Sequence, residues 1–119
     1  MVDVEAIEKI LDEVKSLEGI SSLILVSRTG VHIAGELPEG AHVETFVAMF
    51  AILLGAAETA TSELNEGLRN IGICLETTQV LVVSDGPKAL YVVIASRDID
   101  ENKIIDELNK RNEELQQHL

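Results

Sequence analysis

The sequence predicts an α+β domain in which three helices cover an antiparallel sheet of five strands. Apolar residues recur at helical spacing in the first, central and last parts of the chain, and β-forming segments flank short polar turns between them. Because short turns join antiparallel strands, the element order α-β-β-α-β-β-β-α gives a layered domain. The chain has 119 residues and shows no internal repeat or linker, so residues 1–119 are predicted to form a single domain.

The first helix and the first hairpin follow directly from the residue pattern. Between residues 3 and 18 apolar side chains recur every three or four positions, which is typical of an amphipathic helix, with Asp3 predicted as its N-cap. Residues 20–26 and 31–34 are apolar and rich in β-branched side chains. The turn Ser-Arg-Thr-Gly at residues 27–30 separates them, so the pair is predicted to form a hairpin.

The second helix, predicted over residues 42–66, is apolar nearly all round. It contains no proline, and Gly55 is its one interior glycine. One face carries Phe46, Phe50, Leu53, Ala57, Ala60 and Leu64, and the opposite face carries Ala48, Ile52, Gly55, Ala56 and Thr59. A helix of this kind must be covered on two sides. It therefore has more apolar surface than one face of a sheet can cover.

Three strands and a last helix complete the chain. Residues 68–76 alternate, with Ile71, Ile73 and Leu75 on one side, as in a half-buried strand. Residues 79–83 and 89–95 are strongly β-forming and flank a polar turn at residues 84–88, which predicts a second hairpin. Asp98 and Glu101 form a predicted capping box at the start of the last helix.

Composition excludes several classes of partner. The net charge is −12, and residues 1–18 and 98–119 each contribute −4 (6 acids against 2 bases, and 7 against 3), so nucleic acid is a poor partner. The single cysteine, Cys74, excludes an internal disulfide and fits a reducing compartment. The longest apolar run, residues 46–57, is shorter than the roughly 18 to 20 residues that span a bilayer. We therefore expect a cytoplasmic protein that does not insert into membranes.

Patterns reminiscent of catalytic or ligand-binding motifs fail on spacing or context. Gly30 and Gly35 are spaced as in a phosphate loop, but Glu36 and Leu37 stand where Lys and then Ser or Thr are required. Ser84 lies in a predicted hairpin turn and lacks the strand-to-helix elbow of a nucleophilic serine. The histidines lack the spacing of metal ligands; they are His32, His42 and His118. No spacing selects an arginine finger among Arg28, Arg69 and Arg97. We expect no catalytic residue, no cofactor and no metal.

The element order, together with GISSLILVSRTGVHIA at residues 19–34, resembles the roadblock/dynein light chain family. The most specific part is an apolar strand that leads to a short turn ending in Gly30, followed by an apolar pair before a small residue. The small-residue helix at 44–66 and the paired strands at 80–83 and 90–94 support it. The resemblance covers essentially the whole chain. It implies roadblock/profilin-like layers, with the long helix on one face of the sheet and the two terminal helices on the other.

The resemblance also implies a dimer, in which the second helices pack antiparallel and the third strands pair across a two-fold axis. The implied interface residues are Val47, Ala48, Ala51, Ile52, Gly55, Thr59, Asn70, Ile71, Gly72, Ile73, Cys74 and Leu75. Small residues on this helix would let two backbones approach closely, and an uncovered edge strand would otherwise invite aggregation. The alternative is that one chain covers the whole helix by itself. Cys74, on a strand near the dimer axis, could lie close to its own copy, but we interpret it as a small half-buried apolar residue.

For function, the resemblance implies a non-catalytic homodimeric platform that binds a Ras-like small GTPase, or a related signalling or motor complex, and regulates its nucleotide cycle. The alternative is a small-molecule sensor domain of the profilin-like or PAS-like kind. Such pockets need a few convergent polar groups inside an apolar cavity, and the predicted apolar faces contain almost none. The carboxylates of the terminal helices form either a solvated face or a surface that steers a basic partner.

Overall fold

The computed structural model describes residues 2–119 and confirms the predicted order of elements. The helices are α1 (Val4–Lys15), α2 (Val43–Ser62) and α3 (Glu101–Gln116). The strands are β1 (Ile20–Ser27), β2 (His32–Ala34), β3 (Asn70–Cys74), β4 (Thr78–Asp85) and β5 (Ala89–Ser96).

All five strands form one antiparallel sheet with the order β2-β1-β5-β4-β3. The three central strands have eight residues each, whereas β2 and β3, at the two edges, have three and five. β1 and β5 are joined over nearly their full length, with Leu25 opposite Tyr91. The central strands are buried on both faces, which explains why they are almost continuously apolar rather than alternating.

Helices α1 and α3 cover one face of the sheet. The apolar stripe of α1 lies against the strands, with Ile7 fully buried and Val14 1% exposed. From α3, Ile104 and Leu108 enter the same cluster, where they meet Leu81 and other residues of the central strands. The acidic residues of both helices consequently lie toward solvent.

Helix α2 covers the opposite face alone, which confirms the layer arrangement that the resemblance implied. Its side chains Val47 and Leu54 are buried against Val82 and Val92 of the central strands. Phe46 and Phe50 are partly buried beside them, with ring centroids 4.9 Å apart in an edge-to-face arrangement.

Of the two apolar faces predicted for α2, the one with the two phenylalanines packs on the sheet only in part. Leu53 is 36% exposed and Leu64, which lies beyond the helix, is 67% exposed, whereas Val47 and Leu54 are buried. Neighbouring residues of a helix point about 100° apart, so an apolar helix leaves the choice between Leu53 and Leu54 open. α2 is also shorter than predicted, because the chain leaves it before Asn65, which adopts a left-handed φ of 58°.

The ends of the terminal helices show one confirmed and one wrong prediction. Asp3 caps α1, since its Oδ1 accepts a hydrogen bond from the Ala6 N–H at 3.1 Å. α3 is capped by Asp100, and not by Asp98, which lies in the preceding turn. Ile99 packs against the core between them, and this contact moves the helix start two residues along the chain.

The second hairpin and β3 also differ from the predicted bounds. Ser84 and Asp85 belong to β4, so the turn contains only residues 86–88. β3 comprises Asn70–Cys74, and it is shorter than the predicted segment of residues 68–76.

Candidate functional site

Helix α2 presents an apolar surface that its own chain leaves uncovered. Only Val47 and Leu54 are buried among its 20 residues. On the outer side Met49 is 53% exposed and Ile52 is 60% exposed, and Leu53 lies beside them. Single exposed apolar residues are ordinary, but a contiguous group on one helix marks an interaction surface.

The length and apolar composition of α2 would also allow it to cross a membrane, and among residues 2–119 this holds for α2 alone. A membrane-spanning helix was not predicted from the sequence, because the apolar run of residues 46–57 ends at a glutamate and a threonine on each side and is too short to span a bilayer. A core helix of a soluble protein passes the same test, so the observation by itself carries little weight.

The structure separates the predicted helix residues into two groups. Ile52, Gly55 and Thr59 are exposed on the outer side of α2. Val47 was predicted as an interface residue, and this prediction is wrong, because its side chain is 1% exposed and packs against the sheet. Its burial follows from helical periodicity, since Val47 lies seven residues before Leu54 on the same side.

Ala48 and Ala51 lie on the flank of α2 that meets the first hairpin. The turn residue Gly30 has a φ of +87°, and a Cβ built on it would lie 3.2 Å from the Ala48 Cα and 3.8 Å from the Ala51 Cβ. The small residues at these two positions therefore let the hairpin turn approach α2. Their role within the chain is to pack against this turn.

Three exposed residues on the outer side were absent from the predicted interface set: Met49, Leu53 and Ala56. Helical spacing in the sequence could have identified two of them. Steps of three and four residues from Ile52 lead to Met49 and Ala56, so the correct rotation of the helix would have identified both.

Strand β3 forms the second part of the site, because its outer edge is open. The Leu75 N–H donates to the Thr78 carbonyl at 2.9 Å, which makes these residues a hydrogen-bonded pair. In an antiparallel ladder such pairs alternate, so Ile73 and Ile71 exchange hydrogen bonds with β4. The outward N–H and C=O groups therefore belong to Asn70, Gly72 and Cys74. Within residues 2–119 no strand covers this edge.

The side chains of β3 point to both faces of the sheet. Ile71 and Ile73 pack against the α2 cluster, as the alternation predicted, and Leu75 follows them with 46% exposure. Gly72 and Cys74 point to the face of α1 and α3 and are exposed there, although the side chain of Glu101, the first residue of α3, reaches to within 3.4 Å of the Cβ position of Gly72. The interpretation of Cys74 as a half-buried apolar residue is wrong, because its side chain is exposed and borders an open groove between β3 and Glu101 of α3.

The opposite edge of the sheet is closed by contrast. β2 has only three residues, and the next residue, Gly35, donates its N–H to the Glu8 carboxylate of α1 at 3.0 Å. His32 Nε2 also contacts the Gly35 carbonyl at 2.7 Å. Short edge strands and charged side chains on the edge are the usual protection against further strand pairing. The sheet therefore offers one edge, that of β3.

Arg28 is held inside the fold at the junction of α2 with both hairpins. Its Nη1 pairs with Glu58 Oε1 on α2 at 2.5 Å, while Nη2 donates to Ser84 Oγ at 2.6 Å and to the Gly86 carbonyl at 3.0 Å. These contacts make Arg28 a structural residue of the first hairpin turn, which ties this turn to α2 and to the second hairpin. A guanidinium with this many partners is not available to reach a phosphate on another protein.

The described part of the chain contains no group of three His, Cys, Asp or Glu side chains that could hold a metal ion. Surface grooves lie beside α3. One of about 320 Å³ borders β3 and is lined by Cys74, Arg97 and Glu101, and another of about 470 Å³ lies between the end of α1 and Lys103. Charged residues line both, which does not match the apolar cavity that a small-molecule sensor requires.

Comparison with known proteins identifies the family. The model of the Roadblock/LC7 domain matches residues 6–95. An uncharacterized protein of Methanocaldococcus jannaschii is 32% identical over 88 residues, which cover 73% of this chain and 75% of that protein.

Solved structures agree in fold. A Roadblock/LC7 domain from Streptomyces avermitilis superposes with a TM-score of 0.82 at 15% identity, covering 93% of this chain and 95% of that one. MglB of Myxococcus xanthus superposes with a TM-score of 0.83 at 15% identity, covering 93% and 92%. At this identity the structures support the fold, while the match of the family model to residues 6–95 establishes the family. The chain belongs to the Roadblock/LC7 domain family.

Proposed function

We propose that the protein is a non-catalytic, cytoplasmic homodimer that serves as a platform for a Ras-like small GTPase, or a related signalling or motor complex, and regulates its nucleotide cycle. One observation carries the proposal: α2 has an uncovered apolar outer side, and β3, at the edge of the sheet that α2 covers, has an open edge. The GTPase as partner rests on the roadblock resemblance.

A second copy of the chain is the occupant that fits both features at once. The outward N–H and C=O groups of β3 can pair with another strand, and an antiparallel strand related by a two-fold axis is complementary to itself. This pairing would join two sheets and place both α2 helices on the same face, side by side. Ile52 and Met49 would then be covered by the partner's helix, and the small residues Gly55 and Ala56 would allow close approach.

The proposed mechanism is positioning rather than chemistry. Arg28 is engaged by Glu58, and the sequence contains no nucleophile with an adjacent base. A dimer without catalytic groups can still alter a GTPase, because orienting the switch residues of the GTPase lowers the entropic cost of reaching the transition state. The platform would therefore act on the catalytic residues that the GTPase itself supplies.

The dimer is tested by Ile52→Lys, with Val31→Lys as the matched control. Both side chains are 60% exposed, but Val31 lies in the first hairpin turn and Ile52 on the outer side of α2. Sedimentation equilibrium should give about twice 12.9 kDa for the wild type and for Val31→Lys, and a folded monomer for Ile52→Lys. A charge buried in an apolar interface without a partner costs several kcal/mol. A wild-type monomer at micromolar concentration would overturn the dimer.

The GTPase part is tested separately. The test measures the hydrolysis and nucleotide-exchange rates of a Ras-like GTPase from the same source in three samples: the GTPase alone, the GTPase with the wild-type protein, and the GTPase with the Ile52→Lys variant. We expect the wild type to change one of the rates and Ile52→Lys to leave both unchanged, because the composite surface requires two copies. Binding without any change in rate would leave a scaffold and contradict regulation, and absence of binding would contradict the partner.

A further inference from the structure

A buried polar cluster lies at the end of the sheet where the hairpin β4–β5 turns. Asp85, the last residue of β4, is 1% exposed, and neither of its carboxylate oxygens has a hydrogen-bond partner in the described part of the chain. The hydroxyl of Tyr91, on β5, is likewise buried without a partner. Leaving such groups unpaired costs free energy, so a cluster of this kind calls for an explanation.

The last turn of α3 closes over this cluster. Gln116 Nε2 donates a hydrogen bond to the Asp85 backbone carbonyl at 3.1 Å. A Cβ on Gly86, the first turn residue, would lie 3.5 Å from the same nitrogen. The side chain of Gln116 is therefore packed directly against the hairpin, and it is the polar contact through which the end of α3 meets this turn.

We propose that Asp85, Tyr91 and Gln116 form a pH-sensitive latch that holds the last turn of α3 on the β4–β5 hairpin more firmly when the Asp85 carboxyl is protonated. A protonated carboxyl donates a hydrogen bond, which Gln116 Oε1 or the Tyr91 hydroxyl oxygen can accept. The ionised carboxylate only accepts, and in the closed latch it receives no hydrogen bond from residues 2–119, because Gln116 Nε2 donates to the backbone carbonyl of Asp85 and the Tyr91 hydroxyl is unpaired. The charge would then be buried without bulk water or a donor. Ionisation therefore favours states in which the last turn of α3 lifts away and water reaches the carboxylate.

The electrostatics of the cluster agree with this geometry. Burial raises the pKa of the Asp85 carboxyl to about 6, against smaller lowering effects of Gln116, Tyr91 and Arg28. Burial, and then the charge of Asp85, raise the pKa of the Tyr91 hydroxyl above its ordinary value, so Tyr91 stays neutral. The charged or titratable groups at this end come from the surrounding elements: Arg28 after β1, Lys88 in the turn, Tyr91 on β5, His118 after α3 and Asp3 before α1.

Amide hydrogen exchange of residues 112–118 between pH 5 and pH 8, corrected for intrinsic exchange rates, tests the latch. If opening returns the Asp85 carboxyl to its ordinary pKa of 3.8, protection in the wild type should fall about tenfold over this range, with a midpoint near pH 6. Asp85→Asn has the same shape and cannot ionise, so its protection should be independent of pH. Equal protection of the wild type at both pH values, or an unchanged pH dependence in Asp85→Asn, would overturn the proposal.

Two further variants distinguish the latch from other causes. His118 Nδ1 lies 3.9 Å from the Asp3 carboxylate at the same end, and histidines ordinarily titrate in this range. His118→Gln should therefore keep the pH dependence, and its loss in this variant would assign the effect to His118. Gln116→Met should lower protection at both pH values, because it removes the contact itself. The oligomeric state does not enter this test, so its outcome is independent of the proposed platform.

Discussion

Among the glycines, Gly35 is the one whose Cβ position is most closely approached by neighbouring atoms. Its φ is +92°, and a Cβ at this position would overlap the Leu23 carbonyl oxygen and lie 2.9 Å from the Ile24 Cα. Both obstacles are backbone atoms of β1, which cannot move without breaking the pairing of the central strands. The end of β2 therefore tolerates only glycine.

We expect Gly35→Ala to lower the free energy of unfolding by about 3 kcal/mol or more, since it combines a left-handed backbone with a steric overlap. Gly40→Ala is the matched control, because Gly40 has a φ of +84° and no atom within 4 Å of its Cβ position. It should cost only about 1 kcal/mol. Urea unfolding of both variants measures the difference, and equal costs would contradict the steric argument.

Asp85 predicts a pH dependence of the stability of the whole fold. Its pKa is raised from 3.8 to about 6 by burial, so the folded state binds a proton more tightly than the unfolded chain. The resulting stabilisation is complete below pH 3.8 and is lost as the pH rises through 6. Asp85→Asn should therefore gain stability relative to the wild type between pH 4 and pH 8, by roughly 3 kcal/mol for a shift of about two pKa units.

This gain is measured by urea unfolding of both proteins at each pH and at one protein concentration. Asp98→Asn is the control, because Asp98 is exposed in the turn before α3. A constant difference between Asp85→Asn and the wild type across the pH range would show that Asp85 does not titrate with a raised pKa.

The burial of Asp85 was foreseeable from the alternation of β4. Leu81, Val83 and Asp85 lie two residues apart, so a strand that includes all three must point Asp85 into the layer of α1 and α3. The predicted turn began at Ser84, and this boundary hid the pattern. The prediction followed the turn-forming residue types at positions 84–88 rather than the alternation of β4. In the structure β4 continues to Asp85, which packs against the end of α3.

At the scale of the elements, the existence of each helix and strand was predictable and their ends were not. Hydrophobic periodicity extends over ten or more residues in a helix, so one or two exceptions do not change the predicted element. A helix start depends on which of several neighbouring side chains reaches the backbone, and Asp98 and Asp100 are both suitable caps by type. The burial of Ile99 decided between them, and such a contact is visible only in the folded chain.

The cap assignment gives a direct test. Asp100 Oδ1 accepts a hydrogen bond from the Asn102 N–H at 2.9 Å. Asp100→Ala should therefore lower the free energy of unfolding by about 1 kcal/mol. Asp98→Ala should change it by less than about half of that, because its side chain caps no helix. The reverse order in thermal or urea unfolding would restore Asp98 as the cap.

At the scale of the whole molecule, the layers were predictable and the rotation of α2 was not. Excess apolar surface on α2 indicated that one sheet face could not cover it, and the structure leaves its outer side exposed. Which residues lie on that side depends on a rotation of about 100° per residue, which an apolar helix does not encode. Val47 was consequently placed at the interface although it lies in the core.

The open edge of β3 leads to a prediction about the register of two copies. If Asn70, Gly72 and Cys74 all pair with their counterparts, the two-fold axis must pass between the two copies of Gly72. Each Cys74 then lies opposite Asn70 of the other copy, at a Cα separation of about 5.5 Å, which a disulfide can bridge. In the wild type the two copies of Cys74 are four positions apart along the strands, or about 13 Å.

Asn70→Cys should therefore form a disulfide-linked dimer under mild oxidation, whereas the wild type should not cross-link. Thr77→Cys is the control, since it places an equally accessible thiol in the hairpin turn beyond β3. Non-reducing electrophoresis and mass spectrometry identify the bond between positions 70 and 74. Cross-linking of the wild type through Cys74 alone would indicate a register shifted toward that residue. Equal cross-linking of the Asn70→Cys and Thr77→Cys variants would indicate random collision rather than strand pairing.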